Sequence, residues 1–172
     1  MACCSFLFFI LPIQMSIKNP LARVFFHCLP FQRLSVQELY DVMALRQKVF
    51  VVEQNCPYLD ADGKDVAGYH LLGYSQSAEL LACTRLLPKG VSYPDFASIG
   101  RVVSSPDHRG QGIGVLLMQE SIRWCRQLFP DDPVKIGAQC YLTRFYESLG
   151  FEAVGDTYLE DGIPHIKMIL KD

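Results

Sequence analysis

The residues of this sequence best suited to chemistry are Arg109-Gly110-Gln111-Gly112-Ile113-Gly114. Glycines at alternate positions let a backbone turn tightly and bring its N–H groups close to a ligand. From Gly112 to Leu128 an amphipathic stretch follows, with Ile113, Leu116, Leu117, Trp124 and Leu128 on one face, so the turn opens a helix. A helix start offers unpaired N–H donors and the positive end of the dipole, a setting for phosphate or pyrophosphate. Arg109 adds a charge-assisted contact of the same sense. Two familiar nucleotide loops fail on spacing. A Walker A loop needs Gly-Lys-Ser/Thr where this chain continues Gly114-Val115-Leu116. A GxGxxG dinucleotide fingerprint puts Val115 or Leu117 in the place of its last glycine. The plain alternative is a glycine-rich turn that binds nothing.

The elements that must hold this loop follow from pattern. Val24 to Cys28 read as a first strand, and Ser35 with Glu38 three residues on reads as a capping box. Val36, Leu39, Val42, Met43 and Phe50 give the helix that follows one apolar face. The stretch 55–68, with Pro57, Gly63, Gly68 and the acids Asp60, Asp62 and Asp65, is a loop by composition. Tyr69 to Tyr74 and Glu79 to Leu87 form a hairpin, and Ile99 to Ser104 the strand before the glycine loop. After the helix come a strand from Val134 to Gln139, a short helix from Leu142 to Leu149 stopped by Gly150, and strands from Phe151 to Tyr158 and Ile163 to Leu170. This order predicts an α+β fold, an α/β sandwich around one mixed sheet.

The totals set bounds. A chain of 172 residues, half of them apolar and a fifth charged, suits a single domain around one core. A net charge of −2 and the lack of any Lys/Arg run argue against a nucleic-acid partner. The seven cysteines, Cys3, Cys4, Cys28, Cys56, Cys83, Cys125 and Cys140, are odd in number and include no CxxC pair. They read as free thiols of a cytoplasmic protein, with neither a disulfide framework nor a metal site. Residues 1–16 stand apart as an apolar extension before a domain spanning 17–172. Phe6 to Ile13 are too few to cross a bilayer, so no membrane partner is expected, and Met1 to Ser5 lack the basic residue of a signal peptide. With Met15 at the junction, the extension reads as an upstream start or a tail packed on the domain.

Arg109 to Gly114 also match the R/Q-x-x-G-x-G/A signature of the GNAT N-acetyltransferase superfamily, and Arg144 to Phe151 resemble its second signature. Val51 to Tyr58, Gly137-Ala138-Gln139 and Glu160 to His165 are similar to the ElaA-like subfamily, so the resemblance spans Gln32 to Leu170. It implies a single GNAT-type domain whose mixed sheet, flanked by helices, is splayed at its centre. Acetyl-CoA would be the cofactor. Arg109, Gly110, Gln111, Gly112, Ile113 and Gly114 would hold its pyrophosphate, and the main chain of Val102 and Val103 its pantetheine arm. The activity implied is transfer of the acetyl group to a primary amine, on a small molecule or a peptide, by direct attack in a ternary complex. Tyr146 would touch the cofactor and act as general acid, protonating the departing thiolate. Glu53, His70 and His165 are alternative general bases from the subfamily-like stretches. Cys140 reads as a small wall residue rather than an acyl-carrying nucleophile. Asp60 to Asp65 either draw a cationic acceptor or form a solvated loop. The rival reading is a non-catalytic CoA-binding sensor or partner-binding module of the same fold. Many relatives pair, which leaves a homodimer open.

Overall fold

In the computed structural model, which describes residues 24–171, the predicted elements form in the predicted order. The apolar extension 1–16 lies outside the described residues. The strands are β1 (Phe25–Pro30), β2 (Tyr69–Tyr74), β3 (Leu80–Leu87), β4 (Ala97–Ser104), β5 (Val134–Gln139), β6 (Phe151–Glu160) and β7 (Ile163–Leu170). The helices are α1 (Val36–Arg46), α2 (Ile113–Leu128) and α3 (Thr143–Glu147). The strands make one mixed sheet in the order β1-β2-β3-β4-β5-β7-β6.

The capping box at Ser35 is formed. Its hydroxyl accepts from the Glu38 N–H at 3.2 Å, and the Glu38 carboxylate accepts from the Ser35 N–H at 2.8 Å. The inward face of α1 differs from the sequence reading, because Val36 is exposed while Val42, Leu45 and Arg46 are buried. The helix runs on into a π-helical segment, Gln47–Glu53. That wider winding keeps Val49 in the core and carries Glu53 out to the molecule's cleft. On α2 the buried residues are Ile113, Leu117, Met118, Ser121 and Cys125, whereas Leu116, Trp124 and Leu128 are only partly covered. The predicted stripe missed Ser121 because serine reads as polar. Its hydroxyl donates back to the Leu117 carbonyl at 2.7 Å and lies 2.8 Å from the Thr84 hydroxyl, so it is satisfied while fully buried.

Period-two alternation divides the apolar residues between two layers. Leu72, Cys83 and Val103 pack with Val42, Leu45 and Val49 on one face. Ile99, Ile136, Ala138 and Met168 pack with Met118, Cys125 and Tyr146 on the other, beneath α2 and α3. Two irregularities in the middle of the sheet matter for function. Parallel β4 and β5 pair only through Ala97↔Val134 and Ser98↔Lys135, and beyond these they part. Strand β4 also carries a bulge. Cys83 faces Val103 while Arg85 faces Gly100, and Arg101 in the extra span has φ +52°.

Candidate active site

Where β4 and β5 part, a cleft of about 840 Å³ opens. Val102, Val103, Arg109, Gly114, Tyr146, Glu53 and His165 all line it. Residues separated by more than a hundred positions in sequence thus meet around one gap.

The glycine loop meets one end of the cleft through Arg109 and Gly114, while Gly110, Gln111, Gly112 and Ile113 are not among the lining residues. Gly110 has φ +76° and Gly112 φ +78°, a region that side chains rarely enter. A Cβ built on either would meet no atom within 4 Å, so the loop backbone faces open space. Gly112 is the N-cap of α2 and supplies no side-chain bond to the first turn. The Val115 and Leu116 N–H groups turn back to the Gly112 carbonyl at 3.1 and 3.3 Å. Donors earlier in the turn are the ones a ligand would meet. The Ile113 side chain is buried, which anchors the turn in the core. The loop therefore fits a phosphate group on geometry. Arg109 instead grips Glu53, with Nη1–Oε1 at 2.7 Å and Nη2–Oε2 at 2.9 Å.

Tyr146 stands on α3, 6% exposed, edge-on to Phe145 and Phe151 at ring separations of 5.0 and 6.0 Å. Burial, with a smaller contribution from Tyr141, pushes its phenol up to about 12, so it is fully protonated near neutral pH. Val103 is buried in the core and Val102 half-buried, so their side chains pack while their backbone borders the cleft.

The three base candidates separate. His165 lines the cleft, with Nδ1 2.8 Å from the Ile163 carbonyl. A carbonyl only accepts, so Nδ1 carries the hydrogen, and in the neutral ring Nε2 is the acceptor. Glu53 also lines the cleft, with both oxygens engaged by Arg109. His70 lies apart from it, 1% exposed on β2. Its Nε2 sits 3.2 Å from the Asp65 carbonyl, and burial holds its pKa below the ordinary value. Cys140 is half-buried and is not among the cleft-lining residues. Among the described residues no group of His, Cys, Asp and Glu is arranged to hold a metal, and no helix is long and apolar enough to cross a membrane.

The acidic loop is neither a solvated run nor a free lure for a cation. Asp60 and Asp65 are buried, and the Arg46 guanidinium joins them through Nε–Oδ2 and Nη1–Oδ1 contacts, each 2.7 Å. Arg85 grips Asp62 at 2.6 and 2.9 Å, and Arg101 Nε lies 2.7 Å from Asp60. Three acids and three arginines thus form one network whose outer members, Asp62, Arg85 and Arg101, floor the cleft. Sequence reasoning missed these arginines. The available signal was Arg46 itself, four residues after Val42 on the buried stripe of α1. It also missed Lys167, Tyr158 and Tyr93, which gather over Gly137.

Comparison with known proteins agrees with this geometry. The family described as "Acetyltransferase (GNAT) domain" matches residues 59–171. Protein ElaA of Escherichia coli strain K12 is 47% identical over 137 residues, which cover 78% of this chain and 88% of that protein. The crystal structure of Escherichia coli ElaA superposes with a TM-score of 0.80 at 42% identity, covering 87% of this chain and all of the other. An acyl-CoA N-acyltransferase from Pseudomonas aeruginosa superposes equally well, with a TM-score of 0.80, 41% identity and the same coverage.

Proposed function

We infer, since this chain belongs to the GNAT acetyltransferase family, that it transfers the acetyl group of acetyl-CoA to a primary amine by direct attack in a ternary complex. The observation that carries this reading is the parting of β4 from β5 beside an uncapped, glycine-lined start of α2. The fit of CoA rests on that open backbone, since a Cβ at position 110 or 112 would meet no protein atom within 4 Å and the positive φ there favours glycine.

Acetyl-CoA supplies the activated thioester, and the chain's own residues do the rest. The loop from Arg109 to Gly114 holds the pyrophosphate by main-chain N–H groups and the helix dipole. Arg109 exchanges Glu53 for phosphate oxygens when the loop is filled. The backbone of Val102 and Val103, left without a full strand partner beyond Ser98, offers the pantetheine arm a peptide-like edge. Tyr146 keeps a proton on its hydroxyl for the leaving sulfur. His165, with Nε2 as acceptor, takes the proton of the incoming ammonium. Glu53 is the second choice for that role because its oxygens are occupied. His70 drops to last, because its ring is enclosed in the core. A non-catalytic CoA-binding module shares the loop, so turnover decides between the two.

The test is the melting temperature with acetyl-CoA, against ATP, NAD and S-adenosylmethionine, followed by CoA release with an amine panel. A shift with acetyl-CoA alone is expected, because a ligand of the native state raises the midpoint. Gly112→Asp, which sets a carboxylate in the cradle, should abolish it. Absence of any acetyl-CoA shift would sink the assignment. A shift without turnover of any amine would favour the non-catalytic module.

A further inference from the structure

We propose that Lys167 receives a carboxylate on the acceptor, so that the amines acetylated at this site are of amino-acid type. The proposal rests on the transferase reading above and deepens it. Its starting point is the facing of β5 and β7. Ile136, Ala138 and Met168 are buried with Tyr146 beneath α2 and α3. Gly137 and Lys167 are direct partners in the β5–β7 register, so alternation sets both on the opposite face. The cleft thus has two sides at the gap. Tyr146 and the phosphate cradle belong to one, and Lys167 belongs to the side from which an acceptor approaches.

Gly137 makes room for what gathers there. A Cβ at this position would lie 2.8 Å from the Tyr158 hydroxyl, 3.3 Å from Lys167 Nζ and 3.5 Å from the Tyr93 hydroxyl. Lys167 donates to the Tyr158 hydroxyl and, at 3.3 Å, to that of Tyr93. Both partners are phenols, and among the described residues no carboxylate lies within 4.0 Å of this ammonium. The three arginines of the cleft differ. Arg85 and Arg101 are held by Asp62 and Asp60, and Arg109 by Glu53. Lys64 also lines the cleft without an ion pair and adds to the positive field.

A half-buried ammonium in contact only with phenols lacks the carboxylate contact that such groups normally have, and Glu160 acts on it only from beyond 4.0 Å. Burial, then Lys135 and Lys64, hold the Lys167 pKa below its ordinary value against the opposing pull of Glu160. A carboxylate arriving from solvent would supply the counter-charge and find two hydroxyls beside it. A phosphate dianion fits less well. Among the described residues no glycine cradle or helix start lies on this side, and Glu160 and Asp161 border the same cleft. Those acids suit the ammonium end of a zwitterion.

The experiment is CoA release by the full chain with common L-amino acids, each against its own carboxamide, for the wild type and for Lys167→Met and Lys167→Arg. The wild type should prefer the acids in kcat/KM by about 10- to 100-fold, the range of a charged hydrogen-bonded contact. Lys167→Met should raise KM for the acids by about the same factor, leave kcat less affected, and level the difference between acid and amide. Lys167→Arg should restore part of it. Melting temperatures of each variant with acetyl-CoA check that fold and cradle are intact. Equal use of acids and amides by the wild type, or turnover confined to amines without a carboxylate, overturns the proposal. An equal loss of kcat for acid and amide in Lys167→Met also overturns it, by placing Lys167 in proton transfer. Failure of acetyl-CoA itself to bind would instead overturn the transferase reading on which the proposal stands.

Discussion

Tyr146 illustrates how a single side chain can be legible by type yet need the fold to acquire its property. The string Arg144 to Phe151 marks the tyrosine, but its protonation follows from burial between Phe145 and Phe151 on α3. Removing the hydroxyl keeps both edge-on ring contacts, so Tyr146→Phe should fold with an unchanged melting temperature and unchanged CoA affinity. Its kcat should fall by about 100-fold, at the lower end of what a positioned general acid contributes. Rapid-quench turnover, where chemistry limits the rate, is the measurement. An undiminished rate there would take the phenol out of the mechanism. Lys167 marks the opposite case. No motif points to a lysine on the last strand, and its facing emerges only from the register that sets it against Gly137.

At the scale of elements, the sequence was readable wherever the signal was local. The capping box of α1, the stop at Gly150 with φ +93° and the three-glycine entrance to α2 are each a few residues long, and each formed as expected. The acidic loop was unreadable because its partners are distant: Arg46 reaches Asp60 across 14 positions and Arg101 across 41. Three aspartates around a glycine resemble a solvated run until arginines from α1, β3 and β4 converge on them. Such a buried pair adds little over a well-packed apolar replacement, but breaking one strands a charge. Arg46 is 1% exposed and bonds both Asp60 and Asp65, so Arg46→Ala should cost about 3–5 kcal/mol in urea unfolding. A loss under about 1 kcal/mol would show that water repairs the site and that the network does not hold the loop against the sheet.

For the whole molecule, this network and the histidine beneath it tie stability to pH, with a sign that the geometry fixes. Burial first, opposed by the Asp65 backbone, keeps the His70 imidazole below its ordinary pKa of 6.5, so the folded chain holds it neutral. The unfolded chain binds that proton more readily, and stability therefore declines as pH falls below about 6.5. The carboxylates act further down. Burial alone would raise Asp65 and Asp62, but hydrogen bonds from Arg46 and Arg85 respectively outweigh it and hold both below the usual 3.8. Their contribution is complete above the unfolded value and drains away as pH falls through the folded ones. Melting temperature followed from about pH 8 to about pH 3 at constant ionic strength should thus decline in two stages, one below about 6.5 and one below about 4. His70→Gln, which can still donate toward the Asp65 carbonyl, should erase the first stage and spare the second. A flat profile down to about pH 5 in the wild type would mean that His70 is protonated in the folded chain, paired with the Asp65 carboxylate 4.0 Å away. The network contributes to the second stage beside the more exposed Glu38 and Asp107, so that stage should shrink but not vanish in Arg46→Ala, whose remaining aspartates have lost the partner that keeps Asp65 ionised in acid.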